Sequence, residues 1–193
     1  MAPLVIPKAK MKAPIITPAG SALFCSGIQP STYDDSKVEA SIIITADEKD
    51  AIVEKIMAFV KEHKDSLGID MKKFQMPITE STDKDKNPDG RFVLKAKSKL
   101  EYLPKFYDHS NVEFTPDINY KIPNGSTIRL KVTVELLKTS KFQGVTFRLQ
   151  AYQILKLATM DSGFDAVEVD GGFDGTTAST APEAPKNTED AWE

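Results

Sequence analysis

The chain has few of the residues that hold metals, form disulfides or carry out nucleophilic chemistry. Among 193 residues there are one cysteine, Cys25, and two histidines, His63 and His109. A single cysteine excludes an internal disulfide, and neither histidine stands at the spacing from other ligands that a zinc site requires. Cys25 lies in the apolar run ALFCS, where we expect a small buried residue in a strand.

Recognisable catalytic and nucleotide-binding motifs are also absent. The sequence contains no GxxxxGK(S/T), GxSxG, HExxH or GxGxxG. We therefore expect a protein that is not an enzyme, with no catalytic residues, no metal and no cofactor. An enzyme acting on nucleic acid would need clustered carboxylates to hold a metal ion, whereas Asp83, Asp85 and Asp89 are scattered in a predicted turn.

Long hydrophobic runs are missing as well. No segment approaches the roughly 20 apolar residues that a membrane helix needs. The first 20 residues are interrupted by prolines, so they lack the continuous stretch of about 7–15 apolar residues found in signal peptides. These absences predict a cytoplasmic protein with no membrane partner.

Acidic residues are concentrated at one end of the chain. Residues 161–193 contain nine acidic residues and one lysine, a net charge of −8, whereas residues 1–160 contain 24 basic and 19 acidic residues, a net charge of +5. The apolar pattern stops after Thr159, which predicts a disordered acidic tail over residues 161–193. A basic body with an acidic tail points to a nucleic-acid binder whose tail is regulatory or binds a partner.

Residues 21–160 are predicted to form one mainly β domain, preceded by an extended basic N-terminal arm at residues 1–20. Apolar residues at three- and four-residue spacing predict a helix over residues 47–67, with Thr45 and Glu48 at capping-box spacing and Gly68 as its stop. Strands are predicted at residues 21–26, 37–45, 91–100, 127–136 and 145–157, the last two joined as a hairpin. This pattern suits a five-stranded barrel of the oligonucleotide/oligosaccharide-binding (OB) type with one inserted α-helix.

The predicted strand RFVLKAKSKL carries the strongest functional pattern. Lys95, Lys97 and Lys99 alternate along it and project from one face about 7 Å apart. This spacing is close to the phosphate repeat of a stretched single strand, although an ordinary solvated face has the same composition.

Aromatic and further basic residues lie near that strand. Tyr102 and Tyr107 follow it directly. The last two strands are predicted to place four further side chains on their outward faces, those of Arg129, Lys131, Arg148 and Tyr152. Cations that contact phosphates, interleaved with aromatics that stack on bases, are typical of single-strand binding. We expect Phe106 and Phe114 to prefer the core. The candidate nucleic-acid-binding residues are Lys95, Lys97, Lys99, Tyr102, Tyr107, Arg129, Lys131, Arg148 and Tyr152.

The predicted tail ends in TEDAWE and contains Trp192, the only tryptophan of the chain. An aromatic residue flanked by Glu189, Asp190 and Glu193 in a segment with no core predicts a docking motif for a partner. The acidic groups can also imitate a phosphate backbone and occupy the basic surface of the protein.

Three segments together resemble the single-stranded DNA-binding proteins of T7-like bacteriophages. They are GSTIRLKVTVELLK, GVTFRLQAYQILKLAT and the Gly- and Asp-containing acidic tail, and the basic strand around Lys95 and Lys97 also matches. The resemblance implies an OB-fold barrel with an inserted helix, a homodimer, and sequence-nonspecific binding to single-stranded DNA in phage replication and recombination, in the cytoplasm of the host. It also implies that the tail contacts the phage DNA polymerase and helicase-primase. The family's tail ends in phenylalanine, whereas this one ends in Trp192-Glu193 and is less densely acidic.

A different class of function has the same composition. A virion or assembly β-barrel module that does not bind DNA, with the acidic tail as a solubility device, would also combine alternating strands with a charged terminus. Binding to an oligo-dT strand in a gel-shift experiment separates the two hypotheses.

Overall fold

The computed structural model describes residues 8–32, 34–83, 85–117 and 120–158. In this part of the chain the protein is mainly β, with one α-helix, as predicted. The predicted tail, residues 161–193, lies outside the described residues, as do the first seven residues of the predicted arm. The elements are β1 (Lys8–Lys10), β2 (Ile15–Ile16), β3 (Gly20–Leu23), β4 (Lys37–Ile44), α1 (Ala46–Leu67), β5 (Phe74–Gln75), β6 (Ile78–Thr82), β7 (Pro88–Lys99), β8 (Lys105–Tyr107), β9 (Glu113–Phe114), β10 (Thr127–Lys138) and β11 (Gln143–Lys156).

Five of the strands form a closed ring. Strand β3 pairs with β4, β4 with β7, and β7 with β11, while β11 pairs with β10 and β10 returns to β3. All of these pairings are antiparallel except β7 with β11, which is parallel at Lys97 and Arg148. The ring agrees with the predicted five-stranded OB-type barrel, and α1 is inserted between β4 and β7.

The barrel interior is filled by the apolar residues that alternate along the strands. On β10 the alternating apolar residues Ile128, Leu130, Val132 and Val134 are all buried. The neighbouring strands β4, β7 and β11 contribute further buried aliphatic and aromatic side chains. Because one face of each strand removes its apolar surface from water, the alternating pattern is sufficient to orient most of the sheet.

Helix α1 begins and ends where the sequence predicts. The Thr45 hydroxyl accepts a hydrogen bond from the Glu48 backbone N–H, and the Glu48 carboxylate accepts one from the Thr45 backbone N–H, which completes the capping box. Gly68 adopts the left-handed conformation that ends the helix. The buried residues of the helix, which have the three- and four-residue spacing from which it was predicted, are Ile52, Ile56, Phe59 and Val60.

A β-bulge in β11 overturns one prediction. Lys131 pairs with Ala151 and Val132 pairs with Leu149, so Gln150 is an extra residue in β11. The bulge shifts the alternation by one position, so Tyr152 lies opposite the buried Leu130 and is itself buried. The prediction that Tyr152 faces outward and binds nucleic acid is therefore wrong.

The side chain of Tyr152 belongs to the core. It is 0% exposed, its ring stacks on Phe106 with centroids 4.8 Å apart, and its hydroxyl donates to the Glu39 carbonyl at 3.3 Å. Burial raises its pKa well above the ordinary value for tyrosine. Phe106 is also buried, as predicted.

Two further features concern the N-terminal segment and Cys25. Strands β1 and β2 pair with β10, so this part of the N-terminal segment extends the sheet. Cys25 is buried as predicted but lies just beyond β3, where burial raises the pKa of its thiol to about 11. Within the described residues, no helix has the length and apolar character needed to cross a membrane.

Candidate nucleic-acid interface

The basic strand β7 lies beside β4, and their pairing determines what its lysines face. Lys95 is opposite Ser41, Lys97 is opposite Glu39, and Lys99 is opposite Lys37. Directly opposed residues of antiparallel strands project to the same side of the sheet. The lysines therefore share one face with an acidic residue as well as with another lysine.

Glu39 is held between two of the predicted site residues. Its carboxylate lies 3.0 Å from Lys95 Nζ and 2.6 Å from Lys97 Nζ, and its side chain is 7% exposed, whereas each lysine is about half exposed. Burial by itself would raise the pKa of Glu39, but the hydrogen bonds and charges of Lys97 and Lys95 outweigh it and hold that pKa below its usual range. Glu39 thus neutralises part of the lysine face at neutral pH.

Arg148 reaches the same face because the barrel closes. It is the residue of β11 that pairs with Lys97 of β7. Its guanidinium lies 5.3 Å from the centre of the Tyr102 ring, and its Nη1 lies 3.6 Å from Glu135 Oε1. The guanidinium therefore links the lysine face to an aromatic ring through a cation–π contact.

A central cavity of about 470 Å³ lies on this face. Its walls include Lys95, Lys97, Lys99 and Arg148, together with Lys37. Apolar side chains, among them Met76, Phe142 and Phe147, complete the lining. Cations around an apolar surface can contact both the phosphates and the bases of a nucleic-acid strand.

A second cavity of about 400 Å³ adjoins the first, since Ser98 and Arg148 line both. Tyr102, which is 60% exposed, and Leu103 stand on its wall with Tyr107. The Tyr107 hydroxyl donates to Glu113 at 3.2 Å, and Lys105 binds the same carboxylate at 2.9 Å, which lowers the pKa of Glu113. The basic residues that line this cavity are Lys10, Lys105, Lys131 and Arg148.

A third cavity, of about 530 Å³, adjoins the central one through Lys95. It is lined by the loop that follows β3 and by residues 121–124, including Lys121 and the exposed ring of Phe24. We call the three adjoining cavities the basic groove.

The basic groove concentrates the positive charge of the described domain. Nine cationic side chains line it and only two acidic ones, Glu39 and Glu135. Both of these acids are already in contact with cations of the groove. A strongly cationic concave surface raises the local concentration of a polyanion and speeds its association.

Two of the predicted site residues are not in the groove. Tyr152 is in the core, and Arg129 lies outside the three cavities, where its Nε donates to the Thr17 carbonyl at 3.2 Å. The other seven, Lys95, Lys97, Lys99, Tyr102, Tyr107, Lys131 and Arg148, all line the groove.

Several groove residues were missed in the sequence. Lys10 and Lys105 lie in segments already noted as basic or aromatic, and Glu39 and Lys37 alternate on a strand that pairs with the basic strand. Phe24 and Lys121 carry no local signal, because they meet only when distant loops fold together.

The fold and the groove define a class of protein, a closed β barrel with one inserted helix and a cationic groove that carries exposed aromatics. No family model matches the sequence, and no curated protein matches it. Solved structures similar to this one include single-stranded DNA-binding proteins of bacteriophages, which confirms the resemblance at the level of fold.

Similar structures include proteins of two bacteriophages. The gp2.5 protein of bacteriophage T7, a single-stranded DNA-binding protein, is similar with a TM-score of 0.55 and 15% identity over 93% of this chain and 100% of that one. The single-stranded DNA-binding protein of bacteriophage Enc34, solved in complex with single-stranded DNA, gives a TM-score of 0.61 and 16% identity over 84% of this chain and 100% of that one. A C-terminal truncation of the Enc34 protein gives a TM-score of 0.59 and 13% identity over 76% of this chain and 88% of that one.

Proposed function

We propose that this protein binds single-stranded DNA without sequence preference. The observation that carries the proposal is the basic groove, where nine cations and two acids surround exposed aromatic rings. It is supported by the fold shared with phage single-stranded DNA-binding proteins, one of them solved with its DNA. Among the described residues no group of three or more His, Cys, Asp or Glu side chains could hold a metal ion. The role that we propose is binding.

The composition of the groove favours single strands over duplex DNA. Lysine and arginine side chains contact phosphates whatever the sequence, while an exposed tyrosine such as Tyr102 can stack only on a base that has left its neighbours. Base–aromatic stacking contributes on the order of 1–3 kcal/mol per base and tolerates any base. A duplex, whose bases stack on one another, would gain only the phosphate contacts.

We extend the proposal to the setting that the sequence resemblance implies. The protein would act in phage DNA replication and recombination, protect and melt single strands, and promote the annealing of complementary strands in the host cytoplasm. It would be a homodimer, and its tail, with Glu189, Asp190, Trp192 and Glu193, would recruit the phage DNA polymerase and helicase-primase.

The direct test is a titration of the full-length chain with oligo-dT and with duplex DNA of the same length over a series of salt concentrations. We expect preference for the single strand and an affinity that falls as salt rises, because neutralised phosphates release counterions. Equal affinity for both forms of DNA would contradict the proposal, and absence of binding would favour the assembly-module alternative.

The site itself is best tested at Lys99 and Lys131. Both are exposed on the groove, and neither forms an ion pair with the acids that the structure describes. Replacing Lys95 and Lys97 instead would leave the buried Glu39 carboxylate without its counter-ions and confuse binding with stability. We expect Lys99→Ala with Lys131→Ala to weaken oligo-dT binding about five-fold or more. The salt slope, which is the slope of log affinity against log salt concentration, should fall in magnitude by roughly 1.4, since each phosphate contact on a single strand contributes about 0.7.

The matched control removes the same charge elsewhere. Lys55 and Lys61 are exposed on α1 and line none of the three cavities. Lys55→Ala with Lys61→Ala should change the salt slope much less. Equal losses in the two double variants would show that net charge, rather than the groove, determines binding.

A further inference from the structure

Phe24 is an exposed aromatic residue with an unfavourable backbone. Its side chain is 67% exposed, and its φ of +51° lies in the left-handed region. For a bulky residue this conformation is a genuine outlier, and such strain is concentrated at functional sites. Glycine would adopt the same backbone at no steric cost.

The surrounding structure holds Phe24 in this conformation. Its backbone N–H donates to the Asn124 side chain at 2.8 Å, across a sequence separation of 100 residues. Two residues later, Ser26 is fixed to β4, because its N–H donates to the Glu39 carbonyl and its hydroxyl accepts from the Glu39 N–H, both at 2.9 Å. The backbone on both sides of the ring is thus tied to the barrel while the ring itself faces solvent.

The third cavity, on whose wall the ring stands, has the chemistry of a nucleotide site. Its volume of about 530 Å³ is in the usual range for small-ligand pockets. Lys95 and Lys121 can contact phosphates, and Ser41, Thr32 and Asn124 supply hydroxyl and amide groups to its walls. Lys95 also lines the central cavity, so one strand of DNA can continue from one cavity to the next.

We propose that Phe24 is a stacking platform for one unpaired base at the end of the basic groove, opposite the end that holds Tyr102. Lys121 and Lys95 contact the phosphates on either side of that base. This inference rests on the proposed binding of single-stranded DNA and adds a second base-binding subsite to it. The strained backbone is retained because it presents the ring to the cavity.

The first experiment compares two variants at position 24 and one control variant at position 16 in full-length protein, with oligo-dT binding and thermal unfolding as readouts. Phe24→Gly releases the strain, so we expect an unchanged or higher Tm together with an affinity at least about five-fold lower. Phe24→Tyr keeps the ring and should bind nearly as the parent does. Ile16→Ala is the control, because Ile16 is 59% exposed on β2 and lines none of the three cavities.

The second experiment places a reporter on the platform. Phe24→Trp in a Trp192→Phe background leaves one tryptophan, and its fluorescence should be quenched by oligo-dT but much less by a sugar-phosphate chain of abasic residues. If the parent binds oligo-dT while Phe24→Gly binds equally well and Trp at position 24 is not quenched, the subsite is overturned and the proposed function stands. If the parent does not bind oligo-dT at all, both proposals are overturned.

Discussion

At the scale of a single residue, Glu39 reduces the positive charge of the groove, because its carboxylate is paired with Lys95 and Lys97. Its pKa is held below the usual range by Lys97 and Lys95, so the carboxylate is charged at neutral pH and offsets one of the two lysines. Because the folded-state pKa is lowered, the stabilising effect of the cluster is present above the ordinary glutamate pKa and is lost as pH falls through the folded-state value. A phosphate that enters the groove must compete with this carboxylate for the same two ammonium groups.

We predict that Glu39→Gln tightens binding to oligo-dT. The change keeps the shape of the side chain but frees Lys95 and Lys97 to contact phosphates, so the salt slope should steepen by roughly 0.7–1.4. The variant should also lose thermal stability at pH 7, since it lacks the paired carboxylate, and the loss should shrink as the pH falls below about 4.5, the ordinary glutamate value. Salt-dependent titration and thermal unfolding measure the two effects.

Glu54→Gln on the helix surface is the matched control for that experiment. It makes the same change in net charge but lies outside the three cavities. An equal gain in affinity from both variants would mean that overall charge, and not the release of the two lysines, strengthens binding.

At the scale of the element, β11 holds the barrel together. It pairs with β10 over most of its length and also with β5, β7 and β8. Its contact with β5 depends on Gly144, where an added Cβ would lie 2.0 Å from the Gln75 carbonyl oxygen. Backbone atoms approach so closely here that no side chain can be accommodated without moving β5 or β11.

We predict that Gly144→Ala destabilises the protein by about 1–3 kcal/mol or more, the usual cost of overpacking a tight site. Gly90 provides the comparison, because it also has a positive φ but nothing within 4 Å of an added Cβ. Gly90→Ala therefore carries the backbone strain without the clash. Urea denaturation of both variants should show the larger loss at position 144, and equal losses would contradict the role assigned to the β5 contact.

At the scale of the whole molecule, charge is divided between the domain and the tail. The groove gathers nine cations, whereas residues 161–193 carry a net charge of −8. We propose that the tail competes with DNA for the groove in the same molecule or in a second copy, since nine acidic residues and only one lysine lie within its 33 residues.

Deletion of residues 161–193 should accordingly tighten binding to oligo-dT and reduce its salt sensitivity. Fluorescence or gel-shift titration of the full-length and shortened chains measures both effects. A full-length variant in which the nine tail acids are replaced by their amides separates charge from chain length, and it should behave like the deletion. Unchanged or weaker binding by the shortened chain would rule out competition by the tail.

Much of the fold follows from local patterns. Alternating apolar residues predicted the strands β7, β10 and β11, and the capping box and Gly68 predicted the limits of α1 within a residue or two. Tyr152 shows where this reasoning fails, because one extra residue in β11 shifts the alternation and buries a side chain predicted to face outward. A bulge depends on how two strands fit each other, which the periodicity of one strand does not record.

The candidate site was predictable in its residue types and only partly in its arrangement. The spacing of Lys95, Lys97 and Lys99 placed them on one face, since the two-residue repeat of a strand is a local property. Their pairing with Glu39 and the meeting of Arg148 with Tyr102 were not predictable, because each depends on contacts between distant strands.

The amino-acid sequence by itself determined the mainly β class, the single helix, the division of charge and the lysine repeat, because composition and short-range periodicity encode these directly. Only the tertiary structure decided which charges are neutralised, which aromatics are exposed and which loops meet at Phe24. Closure of the barrel brings together strands that are far apart in the sequence. The groove is therefore a property of ring closure and strand register, which no local segment of the chain contains.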